Sequence, residues 1–208
     1  ADNIVVGTQP GSVGACAAVV IVDNDAITCA NVGDVAVVLI QSSGAPTVLS
    51  TKHCKSNDEE RKRVESSGAH WANGGRVNGV LRVSRAFGDG DFKGRKAVKA
   101  WKTQFASDPV IAMPSISVRK RSPSDALIIV MTDGVVDGFG SERRAALYIR
   151  RQVCKLGDLD KAAKATLDEA RARGSKDDLS LLICDLRDGL VAEEVPWRPA
   201  SSPPAPAP

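Results

Sequence analysis

Two hydrophobic rhythms divide this chain. The strongest single run is Ala126 to Met131, apolar at every position and mostly β-branched or aliphatic, leading into Thr132-Asp133-Gly134. A run so short and so uniformly apolar predicts a core strand buried on both faces. Asp133 stands where that strand leaves the core, and Gly134 permits a sharp exit or a close approach by another group. A carboxylate in that place suits either a cap on the following turn or a hard cation. Upstream, residues 17–23, 26–32, 35–41 and 47–49 read as short strands. Turn residues at 23–25, 31–34 and 42–44 join them, which predicts an antiparallel meander.

The helical rhythm occupies other stretches. Residues 57–67 carry Asn57 or Asp58 as a cap, with Glu59 four positions before Arg63, and the helix should end near Gly68. Ser141 followed by Glu142 starts a helix running to about 155. Asp158 or Asp160 starts another, to about 173, closed by Gly174. Between these, Gly74-Gly75 and Asn78-Gly79 punctuate a hairpin of 76–77 with 81–83, and short strands at 110–111 and 116–118 flank Met113-Pro114. A Lys-rich stretch up to Lys102 reads as loop or short helix, and residues 179–185 form a last strand. Clustered strands separated by long helices predict an α+β sandwich with helices outside the sheets.

Composition narrows the function classes. With 208 residues, 43% apolar and 25% charged, the body should be a globular domain of real core size. The net charge of +3 is mild, and no basic stripe with interleaved aromatics appears, so no nucleic-acid partner is expected. No apolar run approaches the roughly 18 residues of a membrane span, and no charged-then-apolar leader opens the sequence. Five scattered cysteines without a CxxC pair point to free thiols in an intracellular, reducing compartment: cytosol, nucleus or an organelle. Zinc is not expected, since His53 and His70 lie at no ligand spacing from them and read as ordinary polar residues.

The chemistry-bearing signal is acidic. Asp177-Asp178 directly precedes the last strand, as Asp133 directly follows the core strand. The helical pair between them returns the chain to the sheet, so Asp133 and Asp177 could converge on one cation. Helix capping remains open for either one alone. No Ser/His/Asp arrangement is present, and no catalytic side chain is identifiable.

Six blocks make a family resemblance specific. GSVGACAAVV, ANVGDVAVVL, HCKSNDEERKRVESSGAHWANGGRVNGVLRVSRAFGD, VIAMPSI, DALIIVMTDGVVDGF and RGSKDDLSLLICDL stand in the order and rough spacing of the metal-dependent protein Ser/Thr phosphatases of the 2C type. The resemblance covers about 11–186. It leaves 1–10 as a leader or linker and 187–208 as a Pro/Ala-rich tail, disordered or extended. It implies a β-sandwich of two antiparallel sheets flanked by helices, with two Mg²⁺ or Mn²⁺ ions in a cleft at one end. Carried over position by position, Asp133 and Asp177 resemble ligands of one metal. Gly134 and Asp178 support them, and Asp34, Arg85 and Asp89 tie the loop beneath the site by charge-assisted hydrogen bonds.

The implied reaction is hydrolysis of phosphoserine or phosphothreonine by a metal-activated water. The implied partner is a phosphoprotein. The family also opens with an Arg-containing acidic block and a DGHGG block, and neither occurs within these 208 residues. At most one cation is therefore expected on this chain alone. The alternative is a catalytically inactive pseudophosphatase serving as a scaffold among protein partners. A further expectation is that these residues alone leave apolar sheet exposed. Val35-Ala36, Thr132, Val136 and Asp178 depart from the family's usual residues, and Trp71 is assigned packing only.

Overall fold

The core strand sits where the sequence puts it. In the computed structural model, which describes residues 13–93 and 105–187, it is the tenth of eleven strands. In chain order these are β1 (Gly14–Ala15), β2 (Ala17–Val22), β3 (Ala26–Val32), β4 (Ala36–Gln41) and β5 (Pro46–Val48), then helix α1 (Asp58–Ser66). Next come β6 (Trp71–Ala72), β7 (Arg76–Val77), β8 (Phe87–Gly88), a single 3₁₀ turn at Gly90–Phe92, β9 (Ser115–Lys120) and β10 (Asp125–Met131). Helices α2 (Asp133–Phe139), α3 (Glu142–Leu156) and α4 (Leu159–Ala172) lead into β11 (Leu181–Asp185). The result is a mixed α/β fold with antiparallel sheets, as the α+β expectation required. The leader, the tail and most of the Lys-rich stretch lie outside the described residues.

The chain divides into two compact units. One contains Asp23–Ile27, Ala36–Leu49 and the described residues from Arg119 onward, and β10 is its centre. There the strand order is β11-β10-β4-β5, with Ile129 opposite Ile183 on one side and Val38 on the other. Leu127, Ile128 and Ile129 are all buried, so β10 is covered on both faces as its uniform apolar run predicts.

Helices α2, α3 and α4 supply the apolar stripes of this core. Ala145, Ile149 and Val153 recur every four residues on α3, and Ala162, Thr166 and Ala170 do so on α4. Thr166 is satisfied by donating to the Ala162 carbonyl at 2.7 Å. Gly138 has no Cβ because one would stand 2.8 Å from the Ala170 Cα, so α2 and α4 meet backbone to backbone. Ser141 and Asp158 cap α3 and α4 through their side chains, and Gly157 ends α3 in the left-handed region at φ 62°.

The other unit holds most of the sheet β2-β3-β9, the small pairs β1-β8 and β6-β7, and α1. Its apolar cluster gathers Val64, Val77, Val83, Ala86, Phe92, Phe105 and Val110, with Trp71 packed against it as assigned. On the sheet, Cys29 is buried and hydrogen-bonds Ser117, which sets the inner face. Period-two alternation sends Val19, Ile21, Ile116 and Val118 to the outer face, where they are 59–69% exposed.

Several expectations are corrected. The meander does not form: β3 pairs within β2-β3-β9, whereas β4 joins β10 and β5. The break is at Gly33, whose φ of 90° turns the chain out of the first sheet. The hairpin at Gly74-Gly75 joins Trp71–Ala72 to Arg76–Val77, and the expected forward pairing is reduced to a bridge between Val77 and Leu81. Leu81 and Val83 make only isolated bridges, to Val77 and Cys54. Residues 110–111 form no strand, only a parallel bridge from Ile111 to Arg85. Asp133 opens helix α2 instead of a turn, a helix disguised by Val135, Val136 and two glycines of low helical propensity.

Candidate functional site

The end of β10 and the approach to β11 are stitched together. Thr132 accepts the Ser180 N–H at 3.0 Å on its hydroxyl and donates that hydroxyl to the Asp178 carbonyl at 3.1 Å. The Thr132 N–H reaches the Ser180 carbonyl at 3.1 Å, and the Ser175 hydroxyl donates to the Gly134 carbonyl at 2.7 Å. Gly134 makes this possible by being absent as a side chain. A Cβ there would lie 2.6 Å from the Asp178 carbonyl oxygen and 3.1 Å from the Asp177 Cβ. Its backbone is helical, so close approach is the reason for glycine, and the expected conformational freedom is not used.

The Asp177-Asp178 segment thereby lies against the backbone that follows Asp133. The Asp133 and Asp177 carboxylates each accept the next backbone N–H: Gly134 to Asp133 at 2.9 Å and Asp178 to Asp177 at 2.8 Å. Asp133 is half-buried in the first turn of α2, where the helix dipole favours a negative charge. Asp177 and Asp178 are exposed. Thr132, not Asp133, is the N-cap position, and its hydroxyl serves the 178–180 segment instead of its own helix.

The remaining candidates belong to the other unit. Arg85 is no loose surface cation: its Nε and Nη2 reach Glu60 Oε1 at 3.0 and 2.7 Å, and its Nη1 donates to the Met113 carbonyl at 3.0 Å. Arg63 holds the second carboxylate oxygen of Glu60 at 2.9 Å, and the Ser84 hydroxyl donates to the same oxygen at 2.5 Å. The expected Glu59–Arg63 pair is replaced by this one. Burial alone would push the Glu60 carboxyl up, but the hydrogen bonds from Arg85, Arg63 and Ser84 prevail and bring it down to about 2. Asp34 accepts a thiol contact from Cys16 at 3.4 Å. Asp89 is buried at φ 50°, its carboxylate packed where a Gly14 Cβ would fall.

His53 and His70, both read as ordinary polar residues, differ in the fold. His70 is exposed, while His53 is fully buried and clamps the Gly33 corner. Its Nδ1 accepts the Gly33 N–H at 3.0 Å, so Nε2 carries the proton and donates to the Ser115 hydroxyl at 2.8 Å. Burial and the Arg85 charge pull its pKa down to about 4.

Sequence reasoning missed Glu60, Thr132 and Ser175. Glu60 was detectable, because Val64 is the one apolar residue of α1 and the position one turn earlier must share its buried face. A buried carboxylate then demands cations. The roles of Thr132 and Ser175 depend on a contact across more than 40 positions and left no local signal.

Among the described residues, no group of three or more His, Cys, Asp or Glu is placed to hold a metal ion. Two carboxylates would supply only part of the oxygen sphere of one hard cation, short of what a two-metal site requires. No helix is long and apolar enough to cross a membrane, and the described cysteines are all free.

The protein phosphatase 2C family model matches residues 2–179. The chain belongs to the protein phosphatase 2C family. Probable protein phosphatase 2C 68 of Oryza sativa subsp. japonica is 32% identical over 189 residues, covering 88% of this chain and 48% of the relative. Probable protein phosphatase 2C 69 of Arabidopsis thaliana is 33% identical over 172 residues, covering 82% and 43%. The chain thus spans about half the length of the curated relatives it matches.

Among solved structures, a phosphatase from Toxoplasma gondii superposes with TM-score 0.64 at 30% identity, over 76% of this chain and 47% of that one. A serine-threonine phosphatase 2C from the same organism gives 0.66 at 16% identity, over 88% and 62%, a likeness of fold alone. Protein phosphatase 2C enzymes are generally metal-dependent and act on phosphoproteins.

Proposed function

We propose that this chain contributes the Asp133–Asp177 carboxylate pair to a divalent-cation site of a protein Ser/Thr phosphatase. The observation that carries the reading is the Gly134 contact, which presses the backbone after Asp133 against the Asp177-Asp178 segment. Asp133 and Asp177 would hold one Mg²⁺ or Mn²⁺. Thr132 and Ser175 keep the two segments in register, and Asp178 contributes its backbone carbonyl to that stitch. A cation held there would supply Lewis-acid chemistry, polarising a phosphoryl oxygen and lowering the pKa of a water. Arg85 braces the backbone of its own unit through the Met113 carbonyl, and Asp34 and Asp89 pack within the same unit. The free thiols support a reducing intracellular compartment.

A second reading, a pseudophosphatase scaffold, is favoured by the absence of a three-ligand cluster among the described residues. One experiment separates the two. Mn²⁺ binding to the 208-residue chain is followed by electron paramagnetic resonance, and phosphate release from a phosphothreonine peptide is measured in parallel. The expected result is one weak Mn²⁺ site, weakened at least about 100-fold by Asp133→Asn or Asp177→Asn, a larger loss than outer partners usually cause. Turnover should require the remainder of the family's domain. Mn²⁺ binding indifferent to both substitutions would overturn the site. A site that binds Mn²⁺ but gives no turnover in the longest natural form would establish the scaffold.

A further inference from the structure

No further inference is drawn: the strongest candidate, the apolar outer face of the three-stranded sheet carrying Val19, Ile21, Ile116 and Val118, is an unpartnered surface, and nothing among the described residues shows what covers it.

Discussion

Glu60 and the Asp133–Asp177 pair use the same functional group for opposite ends. The Glu60 side chain is 2% exposed, and its two oxygens are occupied by Arg85, Arg63 and Ser84. Its carboxylate holds α1 to Ser84 and Arg85, and Arg63 of the same helix adds bonds to the Ser84 and Pro109 carbonyls. Asp133 and Asp177 each take an adjacent backbone N–H and lie at a half-exposed to exposed strand mouth. A carboxylate saturated by arginines in the interior stabilises a fold. Asp133 and Asp177 instead keep contact with solvent, the side from which a cation can approach. Position in the fold, not residue type, makes the difference.

The largest effect should come from Glu60→Gln. It leaves two arginine charges near a neutral amide in the interior, which should cost about 3–5 kcal/mol. Urea unfolding reads this directly, and a loss below about 1 kcal/mol would mean the hub is solvated.

Acid titration sharpens the same contrast. The Glu60 pKa is depressed from its ordinary 4.5 to about 2, so its contribution is complete above 4.5 and is lost as pH falls toward 2. His53 is depressed from 6.5 to about 4, so its neutral clamp is fully stabilising above 6.5 and weakens as pH falls toward 4. Stability measured against pH should therefore decline in two windows. Glu60→Gln should flatten the lower one and His53→Gln the upper, and a single transition unaffected by either would refute the assignment.

Gly134→Ala tests the other side of the comparison. The new Cβ meets backbone at 2.6 Å, so the Asp177 segment must shift, at a cost of about 1–3 kcal/mol. Mn²⁺ affinity should fall with it, although no ligand has been changed. Unaltered affinity would show that the two acids do not share a cation.

The smallest effect is expected on the bare sheet face. Val19→Thr with Val118→Thr should stay within about 0.5 kcal/mol in the isolated chain, because both side chains already face solvent. Ile149→Ala, at the covered face of the other sheet, should by contrast cost about 2–5 kcal/mol. Equal costs at the two faces would mean the outer face is covered in solution.

How much of this was legible in advance depends on the range of the interaction. The β10 run, the Asn57, Ser141 and Asp158 caps and the β2-β3 pair were readable because each is encoded within a few neighbouring residues. The meander failed because strand partners are chosen by tertiary packing, and short apolar strands look alike from within. Helix α2 was missed because its glycines and valines argue locally against a helix, and only burial of Val135, Val136 and Phe139 in the core overrides them.

For the site, the residue types and their order belong to the sequence: an acid at the exit of a buried strand, another at the entrance to its neighbour. That the segments following Asp133 and carrying Asp177 lie side by side is a decision of tertiary structure, taken by the pairing of β10 with β11 and by the missing Cβ of Gly134. The same holds for Glu60, whose helix announces a buried acid while only the folded chain delivers Arg85 to it. Local sequence sets what each segment prefers, and long-range contacts select which preferences are realised, because their burial energy outweighs any single propensity.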